Sequence, residues 1–135
     1  MILVDASAWI EFLRGTGSPV DRTLTKLLQE NAELATSEVV AMELLAGVPS
    51  DHARHAIRSR LLSLDFLSLD GLADFEDAAS VYRACRLAGE TLRGLTDCLV
   101  AVPAIRADAE ILHRDRDFDA IARHTPLRIH SASGR

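Results

Sequence analysis

Acidic side chains follow short apolar runs at two places along the 135-residue chain. Asp5 comes directly after Ile2-Leu3-Val4, and Asp115 and Asp117 come shortly after Ile111-Leu112. Such runs are typical of strands that are buried on both faces of a parallel sheet. Ligands of open α/β sheets bind outside the carboxyl ends of the strands, so we expect these carboxylates to point into a site.

Two further acids lie on helical segments that are otherwise small or apolar. Glu43 lies one turn after Val39 and Val40, and Asp97 stands in the first turn of its segment. The face of Asp97 is continued by Val100, Ala101 and Ala104. A bare carboxylate is costly on such a face, so each acid requires a partner.

Each of these acids also has a structural explanation. Asp97 could simply be a favourable acid at a helix start, and for this residue the cap and the ligand are equally good interpretations. Glu43 could extend to the surface, and Asp117 could cap the final helix. Asp5 is harder to explain, because an acid that ends a buried strand has few structural duties and no lysine is nearby, which favours a bound cation.

The chemistry of the donor set favours a hard divalent ion. Mg²⁺ and Mn²⁺ prefer carboxylate oxygens, whereas histidine and cysteine clusters would indicate zinc. Cys85 and Cys98 lie in helix-like segments without metal-ligand spacing, which predicts core residues. An all-oxygen site of this kind is suited to the hydrolysis of phosphodiesters.

The elements that must position these acids alternate between strand and helix, which predicts a three-layer α/β/α sandwich with a mainly parallel central sheet. The predicted strands are 2–4, 34–36, 66–69, 111–112 and 127–129. The predicted helices are 6–13, one capped by Ser18, one from about 37, one capped by Ser50, one from 70–71, one beginning at Asp97 after a Thr96 cap, and one near 118–123. In the fifth helix, Leu72, Phe75, Ala79, Tyr82 and Cys85 share an apolar face, and Pro103 predicts a kink in the sixth.

Length and composition predict one domain over 1–135, with a polar tail at about 131–135. Apolar residues make up 48% and charged residues 26% of the chain, as in an ordinary globular protein. No apolar run approaches the roughly 18 residues of a spanning helix, and Met1 leads straight into the first strand without a basic leader segment. We therefore expect a cytoplasmic protein with no membrane partner.

The formal charge of −5 is unusual for a protein that binds nucleic acid. Lys26 is the single lysine, and the arginines are grouped along the chain at 54–60, 83–93 and 106–128. The guanidinium fork suits phosphate, although for any one arginine a solvated helix face is the better explanation. Together the groups predict phosphate contacts around an acidic centre.

Four segments together resemble the motifs of PIN-domain proteins, and of VapC-type toxins of bacterial toxin–antitoxin pairs in particular. They are 1–11 (MILVDASAWIE), 37–44 (SEVVAMEL), 96–101 (TDCLVA) and 113–118 (HRDRDF). Each motif is short, but their order and spacing agree over essentially the whole chain. Ala6 departs from the family pattern, which commonly has threonine there.

The resemblance implies a Mg²⁺- or Mn²⁺-dependent endoribonuclease that hydrolyses RNA phosphodiester bonds with a metal-activated water. It implies an acidic, metal-binding quartet of Asp5, Glu43, Asp97 and Asp115, with Asp117 as an accessory catalytic acid. Ser7 would orient the Asp5 loop or a ligand water. The implied partners are a cognate VapB-type antitoxin, a structured RNA such as tRNA or rRNA, and a second copy of the chain in a homodimer.

Three other functions are weighed against this one. A magnesium-dependent receiver domain needs a lysine after a late strand, whereas Lys26 lies in an early helix. A haloacid-dehalogenase-like phosphatase also needs a lysine, and a second acid where this chain has Ser7. A catalytically silent PIN-like binding module stays open, although the retained acids argue against it.

Overall fold

The computed structural model describes residues 1–134 and contains five strands. They are β1 (Ile2–Val4), β2 (Leu34–Thr36), β3 (Asp65–Phe66), β4 (Glu110–Leu112) and β5 (Arg128–Ile129). All pair in parallel, in the order β3-β2-β1-β4-β5. Leu3 lies opposite Ala35 on one side and Ile111 on the other. The strand order therefore reverses between β1 and β4, which is where open α/β sheets bind their ligands.

Seven helices of residues 1–134 flank the sheet and confirm the predicted α/β/α sandwich. They are α1 (Ala6–Arg14), α2 (Pro19–Gln29), α3 (Glu38–Ala46), α4 (Asp51–Leu62), α5 (Gly71–Leu87), α6 (Thr96–Arg106) and α7 (Arg116–His124). Helix α1 contacts α2 and α3, and α3 contacts α4, whereas α5, α6 and α7 contact one another. Because parallel crossovers are right-handed, the two sets cover opposite faces of the sheet.

The apolar runs of β1 and β4 form the centre of the core. Leu3, Val4, Ile111 and Leu112 are completely buried, as continuous apolar strands of a covered parallel sheet must be. The predicted core face of α6 is confirmed, since Val100, Ala101 and Ala104 are also completely buried. Cys85 and Cys98 are buried free thiols, which confirms their prediction as core residues.

Serine caps define several helix starts, as the sequence predicts. The Ser18 hydroxyl accepts a hydrogen bond from the Asp21 amide, and Pro19 occupies the first helical position. The Ser50 hydroxyl accepts from the Ala53 amide in the same way. These side chains satisfy amides that lack a partner within the helix, so they fix where each helix begins.

The helices that carry the acidic residues begin differently from the prediction. Thr96 is the first helical residue and not the cap, and Leu95 at the cap position makes no side-chain hydrogen bond. Helix α7 begins at Arg116, because Asp115, rather than Asp117, accepts an amide hydrogen bond at the cap. Helix α6 continues through Pro103, and the kink there stays a prediction.

The third strand is shorter and earlier than predicted. It covers Asp65–Phe66, and the Leu67 amide still donates to the Thr36 carbonyl at 2.8 Å. The Leu69 amide instead donates to the Glu38 side chain, so the chain has left the sheet by this residue.

The predicted apolar face of α5 is confirmed for Cys85 and for Tyr82, which packs against the core, and is wrong for Leu72 and Phe75, which face solvent. Leu72 is 74% and Phe75 is 51% exposed, whereas Asp74, Ala78 and Cys85 are buried. Asp74 tolerates burial because it pairs with Arg106 of α6 and accepts a hydrogen bond from the Asp70 amide. The solvent-facing side of α5 with Leu72, Phe75 and Ala79 is called the α5 stripe below.

The predicted polar tail contacts the loop after β4. The His113 amide donates to the Ser133 hydroxyl, and the Gly134 amide donates to the His113 carbonyl, both at 3.1 Å. Arg135, the last residue of that predicted tail, lies outside the described residues. Within 1–134, every helix is too short or too polar to cross a membrane.

Candidate active site

Acids from three segments come together at the carboxyl edge of the sheet. Asp5 follows β1, Asp115 and Asp117 follow β4, and Asp97 stands in the first turn of α6. One oxygen each from Asp97, Asp115 and Asp117 lies within 4.8 Å of the others. The strand reversal between β1 and β4 therefore brings residues together that are distant in the sequence.

Asp5 is held by one of its two oxygens. Its Oδ2 accepts hydrogen bonds from the Ser7 amide at 2.9 Å and from the Ser7 hydroxyl at 2.6 Å. Its Oδ1 is buried and lacks any hydrogen-bond partner among the described residues. Burial raises the pKa of Asp5, because the Ser7 hydrogen bonds compensate only in part and the charge of Asp115 adds to the effect. This oxygen therefore carries the desolvation cost of a buried polar atom without a hydrogen bond.

Ser7 connects the two loops that carry the acids. Its hydroxyl donates to Asp5 and accepts a hydrogen bond at 2.9 Å from the backbone amide of Arg114, which follows β4. Ala6, where the resembled family commonly has threonine, is buried beside it. The neighbouring serine therefore supplies the hydroxyl that orients Asp5 in this chain.

The turn after β4 is fixed by a buried histidine. The Nδ1 atom of His113 accepts a hydrogen bond from the Asp115 amide at 2.9 Å, and the Asp115 side chain accepts one from the Asp117 amide at 3.0 Å. Burial lowers the pKa of His113 although the charge of Asp119 opposes this. A neutral imidazole therefore provides the acceptor that orients Asp115.

The electrostatics show that these carboxyl groups oppose one another's ionisation. Burial, followed by the charges of Asp5 and Asp115, raises the pKa of Asp97 to about 9. Burial also opposes the ionisation of Asp115, but hydrogen bonds from the Asp117 amide and from Asp97 hold its pKa below the ordinary value. Without a cation, Asp97 and Asp115 therefore share a proton.

Glu43 lies at the exposed border of this group. It is on α3, and desolvation, followed by the charges of Asp5 and Asp115, raises its pKa to about 7. It is therefore within electrostatic reach of the cluster, although it does not belong to the three acids that meet within 4.8 Å. Its exposure also agrees with the alternative that the side chain extends to the surface.

Comparison with known proteins shows the family of this chain. The PIN domain matches residues 2–124. The chain belongs to the PIN-domain family. It is also 46% identical over 132 residues to ribonuclease VapC11 of Mycobacterium tuberculosis, covering 97% of this chain and 98% of that relative.

Solved structures share the fold of this PIN domain. VapBC-1 from nontypeable Haemophilus influenzae superposes with a TM-score of 0.73 at 17% identity, over 98% of each chain. VapBC2 from Rickettsia felis, bound to a DNA fragment from the promoter, gives 0.72 at 19% identity, over 96% of this chain and 98% of that chain. At these identities the likeness supports the fold alone.

Arg93 lies at the acidic cluster. The sequence predicted it only as one of several arginines that could contact phosphate. Its guanidinium pairs with Asp115, and its amide donates to Asp117 Oδ2 at 3.0 Å. These partners are 22 and 24 residues away in the chain, so no local pattern indicates the contact. Several other arginines pair outside the acidic cluster: Arg106 with Asp74, Arg114 with Glu11, Arg123 with Glu90 and Arg128 with Asp108.

Asp97→Asn should stabilise the cation-free protein near pH 8 by about 1–2 kcal/mol, because the amide cannot ionise. The pKa of Asp97 in the folded protein is about 9, above its ordinary value of 3.8. The folded state therefore holds this proton more tightly than the unfolded chain, and wild-type stability falls as the pH rises between these values. The partial exposure of Asp97 keeps the gain below that of the full shift.

Thermal unfolding in EDTA across this pH range measures the effect. Asp51→Asn is the matched control, because Asp51 is an exposed acid in the first turn of α4 and should show no such gain. The gain of Asp97→Asn should shrink towards pH 4, where both states bind the proton. Equal or lower stability of Asp97→Asn near pH 8 would contradict carboxylate repulsion in the site.

Proposed function

We propose that this chain is a metal-dependent endoribonuclease that acts as the toxin of a type II toxin–antitoxin pair. The observation that carries the proposal is the buried, unpartnered Oδ1 of Asp5 beside the cluster of Asp97, Asp115 and Asp117. The 46% identity to a protein named as a ribonuclease supports RNA as the substrate. The proposed targets are structured RNAs such as tRNA or rRNA, and the proposed location is the cytoplasm.

The donor set fits a divalent cation such as Mg²⁺ or Mn²⁺. All the donors are carboxylate oxygens, one of them is buried without a partner, and Asp97 ionises with difficulty unless a positive charge is present. Asp5, Asp97 and Asp115 would hold the ion, with Glu43 and Asp117 at its border. When bound, the cation supplies Lewis-acid stabilisation of the phosphate charge.

The chain's own residues orient the acids and move a proton. Ser7 fixes the Asp5 carboxylate, and His113 fixes the backbone of Asp115. Glu43 lies within electrostatic reach of Asp5 and Asp115, so its carboxylate is placed to accept a proton from the attacking water. Asp117 holds the loop before α6 through the Arg93 amide.

Asp5→Asn should lower RNA cleavage by about a hundredfold or more, because the amide lacks the charge that a divalent cation requires. Asparagine caps helices as well as aspartate, so the melting temperature of the cation-free protein should not fall. The measurement is cleavage of tRNA and rRNA with Mg²⁺ or Mn²⁺, with EDTA as the metal-free arm.

The matched control is Asp21→Asn. Asp21 is also a buried acid at a helix start, but it bonds to Gly17 and lies on α2, away from the cluster. Cleavage by this variant should stay near the wild-type rate. Wild-type cleavage in Asp5→Asn would remove Asp5 from the mechanism, and a wild-type protein inactive with both metals would favour the silent binding module.

We propose that the cognate VapB-type antitoxin occupies an apolar groove beside the site. The groove has a volume of about 560 Å³, lies between α1, α3 and α4, and includes Glu43 in its lining. Its other lining residues include Ile10, Leu13, Leu44, Val48 and Ile57. A partner that buries this apolar surface would also reach Glu43, so binding and inhibition would be coupled.

Ala56→Glu should prevent the antitoxin from binding, because Ala56 is exposed on α4 and lines the groove. The measurement is co-purification of the antitoxin with each tagged variant from the native host. Arg58→Glu, a change at an exposed position of α4 outside the lining, should retain the partner. Equal retention by Ala56→Glu would place the antitoxin elsewhere.

We also propose that two copies of the chain pair through the α5 stripe. Leu72 and Phe75 expose large apolar surfaces there, and Ala79 is small enough for a close helix crossing. In an antiparallel pairing centred on Ala79, Phe75 would meet the aliphatic and cationic side chain of Arg83 from the second copy. Glu76 would approach the same arginine, so the charges are complementary.

Ala79→Glu should convert the dimer into a monomer, because it places two like charges, one from each copy, at the centre of the proposed apolar contact. Light scattering after size-exclusion chromatography measures the mass, and circular dichroism checks the fold. Leu62→Glu is the control, since Leu62 is also exposed but lies at the end of α4. An Ala79→Glu protein that remains dimeric would place the interface elsewhere, and a monomeric wild type would remove the dimer itself.

A further inference from the structure

Arg93 closes the acidic cluster on its solvent side. Its Nη2 atom pairs with Asp115 Oδ1, and its Nε lies 3.5 Å from Asp117 Oδ2. With Gly94, Thr96 and Asp97, these residues line a cavity of about 290 Å³. The Arg93 side chain is still 62% exposed, so it sits at the mouth of the cavity and not in its interior.

The backbone and the side chain of Arg93 are held separately. The amide donates to Asp117 Oδ2 at 3.0 Å, and this bond does not depend on the guanidinium. The loop that carries Arg93 can therefore stay in place while the long side chain changes its partner. A substitution that keeps the backbone thus tests the guanidinium alone.

A divalent cation and the Arg93 guanidinium would compete for the same two carboxylates, Asp115 and Asp117. Asp115 Oδ1 already accepts the Asp117 amide and the Arg93 guanidinium. An ion that binds Asp97 and Asp115 neutralises the charge that attracts Arg93 and repels the guanidinium. Arginines that pair outside the cluster, such as Arg123 with Glu90, do not face this competition.

We propose that Arg93 is a phosphate-binding residue of the site, released from Asp115 and Asp117 when a divalent cation binds there. The inference rests on the proposed ribonuclease function and adds a substrate contact to it. The released guanidinium lies at the mouth of the acidic cavity, where the RNA backbone must enter. Its planar fork matches two phosphate oxygens, so it holds the phosphate beside the scissile bond.

The exchange explains how an acidic chain can bind RNA at this site. Without a cation, Arg93 reduces the repulsion between the carboxylates and keeps its own charge occupied. With the cation in place, both the ion and the guanidinium present positive charge to the phosphate. RNA binding at the cavity is therefore coupled to cation binding.

Arg93→Gln tests both halves of the proposal. On RNA-free protein, calorimetric titration with Mn²⁺ should show an affinity about two- to fivefold higher than in the wild type, because an exposed ion pair no longer competes. In RNA cleavage, kcat/KM should fall by about tenfold or more, because a charged contact to phosphate is lost. The salt dependence of log(kcat/KM) should become shallower by about 0.7 to 0.9, the value of one phosphate contact.

Arg123→Gln is the matched control. The Arg123 side chain is 54% exposed and ion-paired, but its partner is Glu90. Both the Mn²⁺ affinity and the salt slope of this variant should match the wild type. A purely structural effect of losing an exposed ion pair would appear equally in both variants.

The outcomes test the cation competition, the phosphate contact and the ribonuclease function separately. Unchanged or weaker Mn²⁺ binding by Arg93→Gln would overturn the competition between guanidinium and cation. Tighter Mn²⁺ binding with an unchanged salt slope would overturn the phosphate contact. A wild-type protein that binds Mn²⁺ but cleaves no RNA would instead contradict the proposed function, because the titration needs no substrate.

Discussion

Repulsion between carboxylates at the carboxyl edge of the sheet is the constraint on which the rest of the site depends. The reversal of strand order between β1 and β4 forces Asp5 and Asp115 towards each other, and the start of α6 adds Asp97. Each charge makes the ionisation of the next one harder, which the raised pKa of Asp97 reflects. A bound cation would remove this repulsion between carboxylates, so the arrangement of the acids favours cation binding.

The chain holds these acids with hydrogen bonds from its own loops, and the second oxygen of Asp5 stays without a hydrogen-bond partner among the described residues. Asp5 and Asp115 both cap helices, so backbone amides fix one of their oxygens. Ser7 and His113 then fix the orientation of the two loops. Asp5 and Asp115 therefore both cap a helix and belong to the acidic group. Neither role excludes the other, so a cap position does not rule out a function in the site.

The sequence predicts the parts of this structure that depend on local patterns. Asp5 and Asp115 follow short buried strands, and the place of an acid after such a strand is visible in the sequence. The apolar spacing of Leu72 and Phe75 could not show whether they face the core or the solvent, because periodicity identifies a face but not its partner. Arg93 could not be assigned to Asp115, because that contact depends on how the loop before α6 packs against α7. The sequence also could not show which of Asp115 and Asp117 caps α7; in the structure Asp115 does.

We propose that acids distant in the sequence share one ligand, a divalent cation. Crystals of the RNA-free wild-type protein grown with Mn²⁺ and measured at the manganese absorption edge test it most directly. The account predicts an anomalous peak within coordination distance of Asp5 and Asp97, with Arg93 turned away from Asp115. A cavity without such a peak at saturating Mn²⁺, with Arg93 still paired to Asp115, would contradict it.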